Sequence, residues 1–248
     1  MGLTNSDSRC SIRIRVRSHL NDILRSLDQA LRLIAAGDAN LAAIIALSLR
    51  VTGLALLVST LGGVPLGAVL GLGRVRLRGL VTALLYTGMG LPPVVVGLFV
   101  YLMLSRSGPL GAWGWLFTPN AMIAAQTIIA FPVVAGLTMT AVQSVDPGLR
   151  LQVRALGATP SQEAWAVLME ARIGVVAAIV AAFGSIISEV GAVMLVGGNI
   201  AGKTRVLTTA IVLETRQGDF SLALALGVIL LALAFTANLI LLRLQGRD

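Results

Sequence analysis

Four stretches of this chain contain no Asp, Glu, Lys or Arg: 23 residues between Arg50 and Arg74, 27 between Arg78 and Arg106, 39 between Arg106 and Asp146, and 23 between Asp219 and Arg243. A helix needs about 20 consecutive apolar residues to cross the hydrocarbon core of a bilayer, so each stretch is long enough. Gly108, Pro109, Gly111, Gly114 and Pro119 interrupt the third stretch with turn chemistry and confine its spanning part to about 120–143. A fifth span starts after Arg172, where 16 uncharged residues precede Glu189, and continues from Val190 to Val196. The expected fold is an all-α integral membrane protein with five transmembrane helices, at about 45–72, 80–104, 120–143, 173–196 and 220–242. In the first of these, Gly62, Gly63, Pro65 and Gly67 are expected to loosen the second half.

Composition agrees, with 56% hydrophobic residues, 12% charged residues and a mean hydropathy of +0.90. The first 40 residues are polar and Arg-rich, with no apolar segment before a small-residue cleavage site, so no cleavable signal peptide is expected. Residues 1–19 read as a basic flexible tail. Residues 20–36 read as an amphipathic helix lying on a surface, because Leu20, Ile23, Leu24, Leu27, Leu31 and Ile34 recur at helical spacing. Cys10 and His19 stand alone in this polar region, which leaves no disulfide framework, no metal cluster and no expected cofactor. The net charge of +8 comes mainly from Arg residues that flank spans, and with only 4% aromatic residues there is no stacking platform for nucleic acid.

Between the third and fourth spans lies DPGLRLQVRALGATPSQEAWAVLMEAR, Asp146 to Arg172. It reads as a helical hairpin over 146–171: Gly157 breaks the first helix, Thr159 or Ser161 caps the second, and Pro160 suits its first turn. With the hairpin cytoplasmic, Arg74, Arg76, Arg78, Arg150, Arg154, Arg172, Arg243 and Arg247 lie inside, against Arg106, Lys203, Arg205 and Arg216 outside. The same arrangement puts the six Arg of the N-terminal segment outside, against the charge rule.

Three features bear on function. Pro92 and Pro93 remove two backbone donors inside the second span, which gives either a plain kink or a kink beside a translocation path. Glu189 is an ionisable residue in an otherwise apolar span, placed about 24 Å along the helix from Ile173 at 1.5 Å per residue. It either lines a path or is a solvated carboxylate near a helix end. GGNIAGKT, Gly197 to Thr204, fits the phosphate-cradling pattern G-x-x-x-x-G-K-[ST]. That loop works only inside an α/β sheet that also supplies an acid for Mg²⁺, and no segment outside the spans can hold such a sheet. The match is expected to be fortuitous and the segment to be an irregular outer loop.

VRALGATPSQEAWAVLMEA, the following SEVGAVMLVGGNIAGKTRVLTTAIVLET, and LPPVVVG upstream together resemble the permease subunits of type I bacterial ABC importers for tetrahedral oxyanions. The similarity covers about residue 20 to the end, and is greatest to tungstate permeases, then to molybdate and sulfate permeases. Those have Gly-Glu-(Phe or Tyr)-Gly-Ala where this chain has Ser188-Glu189-Val190-Gly191-Ala192. The family's coupling element, EAA-x3-G-x9-I-x-LP, aligns its glycine with Gly157 and its isoleucine with Val167. Leu151-Gln152-Val153 replaces Glu-Ala-Ala, and Met169-Glu170 replaces Leu-Pro.

The resemblance implies a homodimeric pore in the bacterial inner membrane, with cytoplasmic hairpins and C-termini, a separate ATP-binding subunit, and a periplasmic oxyanion-binding protein. It implies that Arg154, Ala155, Leu156, Gly157, Ala158, Thr159 and Val167 belong to the ATPase-coupling hairpin. Pro92, Pro93, Ser188, Glu189 and Gly191 are candidates for the gate or path, and Asn199, Lys203 and Arg205 for an outer loop that meets a dianion or the binding protein, or is merely positive. The expected cargo is tungstate, with molybdate or sulfate as alternatives. A secondary transporter would need a proton or sodium relay beyond the single Glu189, and a membrane enzyme would need a catalytic constellation absent from the spans.

Overall fold

The computed structural model describes residues 39–73 and 76–245, so the expected basic tail and amphipathic helix lie outside the described residues. The described residues form ten α-helices and one 3₁₀ turn, Gly111–Trp113, and no strand. The helices are α1 (Ala39–Gly71), α2 (Arg78–Met89), α3 (Pro93–Leu104), α4 (Pro119–Gln143), α5 (Pro147–Ala155), α6 (Pro160–Glu170), α7 (Arg172–Ile187), α8 (Gly191–Gly197), α9 (Leu207–Gln217) and α10 (Phe220–Gln245).

By length and composition, α1, α4 and α10 are each able to cross a bilayer. The number is up to five if each of two bent pairs, α2 with α3 and α6 with α7, makes one span. In place of one kinked helix over 80–104, the chain turns by 102° between α2 and α3. The reason lies in Leu91-Pro92-Pro93. Pro92 disfavours helical backbone at Leu91. Pro92 itself is extended (φ −61°, ψ 124°), and Pro93 occupies the first helical position, where no backbone donor is needed. The prolines end one helix and start another.

The fourth expected span, 173–196, is likewise divided: α7 stops at Ile187 and α8 begins at Gly191. The stretch 207–217 forms a further helix, α9, which packs on α10 and on Leu41 of α1.

α1 runs unbroken for 33 residues, through Pro65 and the glycines expected to loosen it. Gly63, Gly67 and Gly71 recur every fourth residue and make a flat stripe against α4. A Cβ at Gly71 would lie 2.7 Å from Val142 Cβ and one at Gly63 3.0 Å from Val134 Cβ, while one at Gly67 would run into the carbonyl oxygen of Ala135. The glycines thus allow close helix–helix approach, the small-residue packing that stabilises helices in lipid, and the packing holds them helical.

α4 is the central helix. Its buried residues, including Ala121, Met122, Ala125, Ile129 and Val134, join Val51 and Ala55 of α1, Val96 and Val100 of α3, Ala182 and Ile186 of α7 and Val193 of α8 in one core. With 25 residues it is about 37 Å long at 1.5 Å per residue. Its C-terminal end leads through Asp146 into the α5–α6 hairpin. Pro119 at its N-terminal end borders Ala201, Gly202, Lys203 and Arg205. Hairpin and loop therefore occupy opposite ends of the molecule.

Candidate functional site

At the hairpin end, local chemistry fixes each turn. Asp146 Oδ1 accepts from the backbone N–H of Gly148 at 2.9 Å and caps α5. Thr159 and Gln162 form a reciprocal capping box at the start of α6, where Thr159 N–H donates to Gln162 Oε1 at 2.8 Å. Between the helices Gly157 takes φ +83°, a left-handed conformation that glycine adopts without strain, and its N–H donates to Arg154 O at 2.9 Å. Ala158 N–H donates to Val153 O at 3.2 Å, completing the stop of α5. Ala155 ends that helix, and Leu156 stands 87% exposed at the tip.

Arg154 bridges the two helices. Its Nε and Nη2 donate to Glu163 Oε2 and Oε1, each at 3.0 Å, a bidentate pair in which the Glu163 side chain is 4% exposed and that of Arg154 58%. The hydrogen bond to Glu163, and then the carboxylate's charge, push the Arg154 pKa above its ordinary value. Val167 is fully buried with Ala68 of α1, Val142 of α4, Val145 and Ala171, which joins α6 to the ends of both long helices. The hairpin is thus packed firmly on the core. Glu163 escaped the sequence reading. The signal for it was a carboxylate in the first turn of α6 facing an Arg just before the helix-breaking glycine.

In mid-molecule the structure brings together residues that the sequence separates by almost a hundred positions. The Pro92-Pro93 turn starts α3, and α3 lies directly on α8. A Cβ at Gly97 would stand 2.6 Å from Ala192 Cα, and one at Gly191 would stand 2.6 Å from Val94 Cγ2. Glu189 lies within no helix; it sits in the break between α7 and α8. Its Oε1 accepts from the N–H of Ala192 at 3.0 Å and so caps α8, while its backbone oxygen accepts from Thr208 Oγ1 at 3.1 Å. Ser188 Oγ donates to Gly184 O at 2.9 Å, back into α7.

A broken helix in an apolar setting frees carbonyls that other groups must satisfy. Gln126 of α4 does this, donating from Nε2 to Ile186 O at 2.9 Å. Ser48 of α1 accepts from Leu207 N–H at 2.9 Å at the start of α9. Gln126, Ser48 and Thr208 were not foreseen. Their signal was the presence of polar side chains in segments otherwise apolar.

At the far end, GGNIAGKT is an irregular turn. Gly198 and Gly202 have φ of +71° and +70°, and Asn199 has φ +50°. The backbone N–H groups of Lys203, Thr204 and Arg205 all donate to Ile200 O at 3.0–3.1 Å. Thr204, buried, donates from Oγ1 to Gly197 O at 2.6 Å and accepts from Ile200 N–H at 2.9 Å. A phosphate-cradling loop presents its amides and hydroxyl outward. Here they are consumed inside the turn. Phe117, at φ +60°, donates its N–H to Val196 O at 2.9 Å and closes the turn against α8. Asn199 and Arg205 are half-buried and Lys203 is exposed, all remote from the hairpin.

Among the described residues, broken helices pack around a central helix of span length, with a compact helical hairpin at one end. Residues 63–247 match the family of binding-protein-dependent transport system inner membrane components, and the chain belongs to that family. It is 47% identical over 221 residues to a probable anion ABC transporter permease protein of Haloferax volcanii, covering 86% of this chain and 95% of that one. It is 39% identical over 216 residues to the tungstate uptake system permease protein TupB of Peptoclostridium acidaminophilum, covering 87% and 95%. An inward-facing structure of the MetNI methionine ABC transporter shares the fold, with a TM-score of 0.68 at 23% identity over 84% of this chain and 97% of that one. The chain is a permease subunit and not an enzyme.

Proposed function

We propose that this chain is the membrane-spanning subunit of an ABC importer for tetrahedral oxyanions, with tungstate as its cargo. The similarity to tungstate permeases carries the cargo assignment. Identity is 39% and 35% to two TupB proteins, against 29% to molybdenum permeases and 27% to a sulfate permease. Metal accumulation by a deletion strain tests it. Loss of tungsten accumulation with molybdenum intact is expected, and loss of molybdenum with tungsten intact overturns the assignment.

In this reading the α5–α6 hairpin is the element pushed by an ATP-binding subunit, on the cytoplasmic side of a bacterial inner membrane. Three observations support it: the Arg154–Glu163 clamp, the Val167 anchor, and a tip exposing Leu151, Leu156 and Trp165, apolar side chains suited to a groove in a partner. The gate is the Ser188-Glu189-Val190 break together with the Pro92-Pro93 turn, because two short helices joined there by glycine contacts can shift without unwinding a long one. A second copy of the chain completes the pore. The exposed apolar residues Val94, Leu98, Phe99 and Leu102 on α3 support a face that meets lipid or that copy. A periplasmic binding protein delivers the anion to the end bearing Asn199, Lys203 and Arg205.

A further inference from the structure

We infer that the cleft between the first half of α1 and the Gly198–Arg205 loop is an anion site that takes a tetrahedral oxyanion, either free in solution or as the phosphate of an anionic lipid. The cleft encloses about 540 Å³. Arg50 of α1 lines it from one side and Lys203 and Arg205 of the loop from the other, with Asn40, Ile44 and Pro119 between them. No carboxylate among the described residues lines it or pairs with any of the three cations.

Three like charges around one space repel each other, and the arrangement is stable when an anion shares the space. Arg205 also holds its Nε buried without a hydrogen-bond acceptor among the described residues. Guanidinium forks match the oxygen edges of a tetrahedral oxyanion, and the Lys203 ammonium adds a point charge.

The position suits such a ligand. The uncharged residues from Val51 to the end of α1 at Gly71 cover about 31 Å as helix, enough to fill a hydrocarbon core of about 30 Å. Arg50 therefore stands at an interface, at the level of lipid phosphates and within reach of ions in solution. The free-anion source rests on the transport reading above; the lipid source does not. Arg50 served in the sequence only as the boundary of an uncharged run, and folding brings it to the loop.

The test uses the purified permease–ATPase complex without its binding protein. In nanodiscs of phosphatidylcholine alone, sodium tungstate is titrated by calorimetry. In a second arm, native mass spectrometry follows retention of phosphatidylglycerol through delipidation. Binding in at least one arm is expected, and the first arm against the second identifies the source. The triple variant Arg50→Gln, Lys203→Gln, Arg205→Gln is expected to weaken that binding on the order of tenfold or more. Arg50→Lys with Arg205→Lys, which keeps the charge, is expected to retain part of it.

ATP hydrolysis by the complex reports assembly. If the triple variant does not assemble, Lys203→Gln alone decides, since that side chain is exposed. Absence of binding in both arms overturns the site, as does equal binding by wild type and the neutralised variant. Neither result touches tungsten uptake by intact cells, so failure of the site and failure of the cargo assignment remain distinguishable.

Discussion

Arg154 and Glu163 meet only because Gly157 reverses the chain between them, so the two residue-level devices of the hairpin depend on each other. At Gly157 the constraint is conformation and not space. A Cβ there would meet nothing within 4 Å, whereas φ is +83°. Gly157→Asn, which tolerates the left-handed region, should retain most uptake, and Gly157→Val should lose it despite similar bulk. Gly157→Pro removes the N–H donated to Arg154 O and forbids the positive φ, so it should be the most severe. Uptake by cells together with ATP hydrolysis by the purified complex reads these effects; equal uptake by the Val and Asn variants would sink the conformational account. For the ion pair, Glu163→Gln keeps an acceptor for Arg154 and should be mild, whereas Glu163→Ala frees the hairpin and should leave hydrolysis in place with uptake reduced. The direct stability cost is modest, because Arg154 is largely exposed. The raised Arg154 pKa is a contribution present below the unfolded-state value and lost only as pH rises through the folded one. It is thus constant over the working range, and uptake measured from about pH 6 to about pH 9 should show no step from this arginine.

Among the elements, α1 against α4 and α3 against α8 rely on the same device, glycines that let backbones touch. Gly67→Leu should separate α1 from α4, at a cost of about 1–3 kcal/mol for overpacking alone, and lower the thermal midpoint of the detergent-solubilised complex. Gly53 lies on the same helix with nothing within 4 Å of a Cβ, so Gly53→Ala should leave the midpoint unchanged or raised. If both variants melted alike, the stripe would have no special role. At this scale the sequence was legible where a rule needs only local residues: Gly157, Thr159 and Pro160 spelled out two helices and the turn between them. It failed where the outcome depends on a neighbour. Pro92-Pro93 bends a helix or ends it according to what satisfies the freed backbone groups, and α7 breaks after Ile187 because Gln126 and Thr208, distant in sequence, supply partners. The glycines of α1 were read as weak points for the same reason, since their packing partner on α4 was not visible.

In the whole molecule, α4 separates two ends of different build: a hairpin with a buried anchor at one, and a cation-lined cleft beside an irregular loop at the other. That separation explains why a pattern associated with ATP occurs far from the hairpin. The amides of Lys203, Thr204 and Arg205 close on Ile200, so they are not free to cradle the phosphates of a nucleotide. The sequence showed this indirectly, through the lack of any segment able to build a supporting sheet, and the closed turn supplies the direct reason. It follows that the isolated chain should hydrolyse no ATP, and that Lys203→Ala should leave unchanged the hydrolysis by the permease–ATPase complex assayed without binding protein or oxyanion. In a phosphate-cradling loop the equivalent lysine contacts the β- and γ-phosphates, and its loss would abolish turnover. Phosphate release by the chain alone, by the chain with its ATP-binding subunit, and by the Lys203→Ala complex separates the two cases. A large fall in turnover on Lys203→Ala, with the complex still assembled, would return the motif to a nucleotide site and remove the case for assigning ATP to a partner at the hairpin.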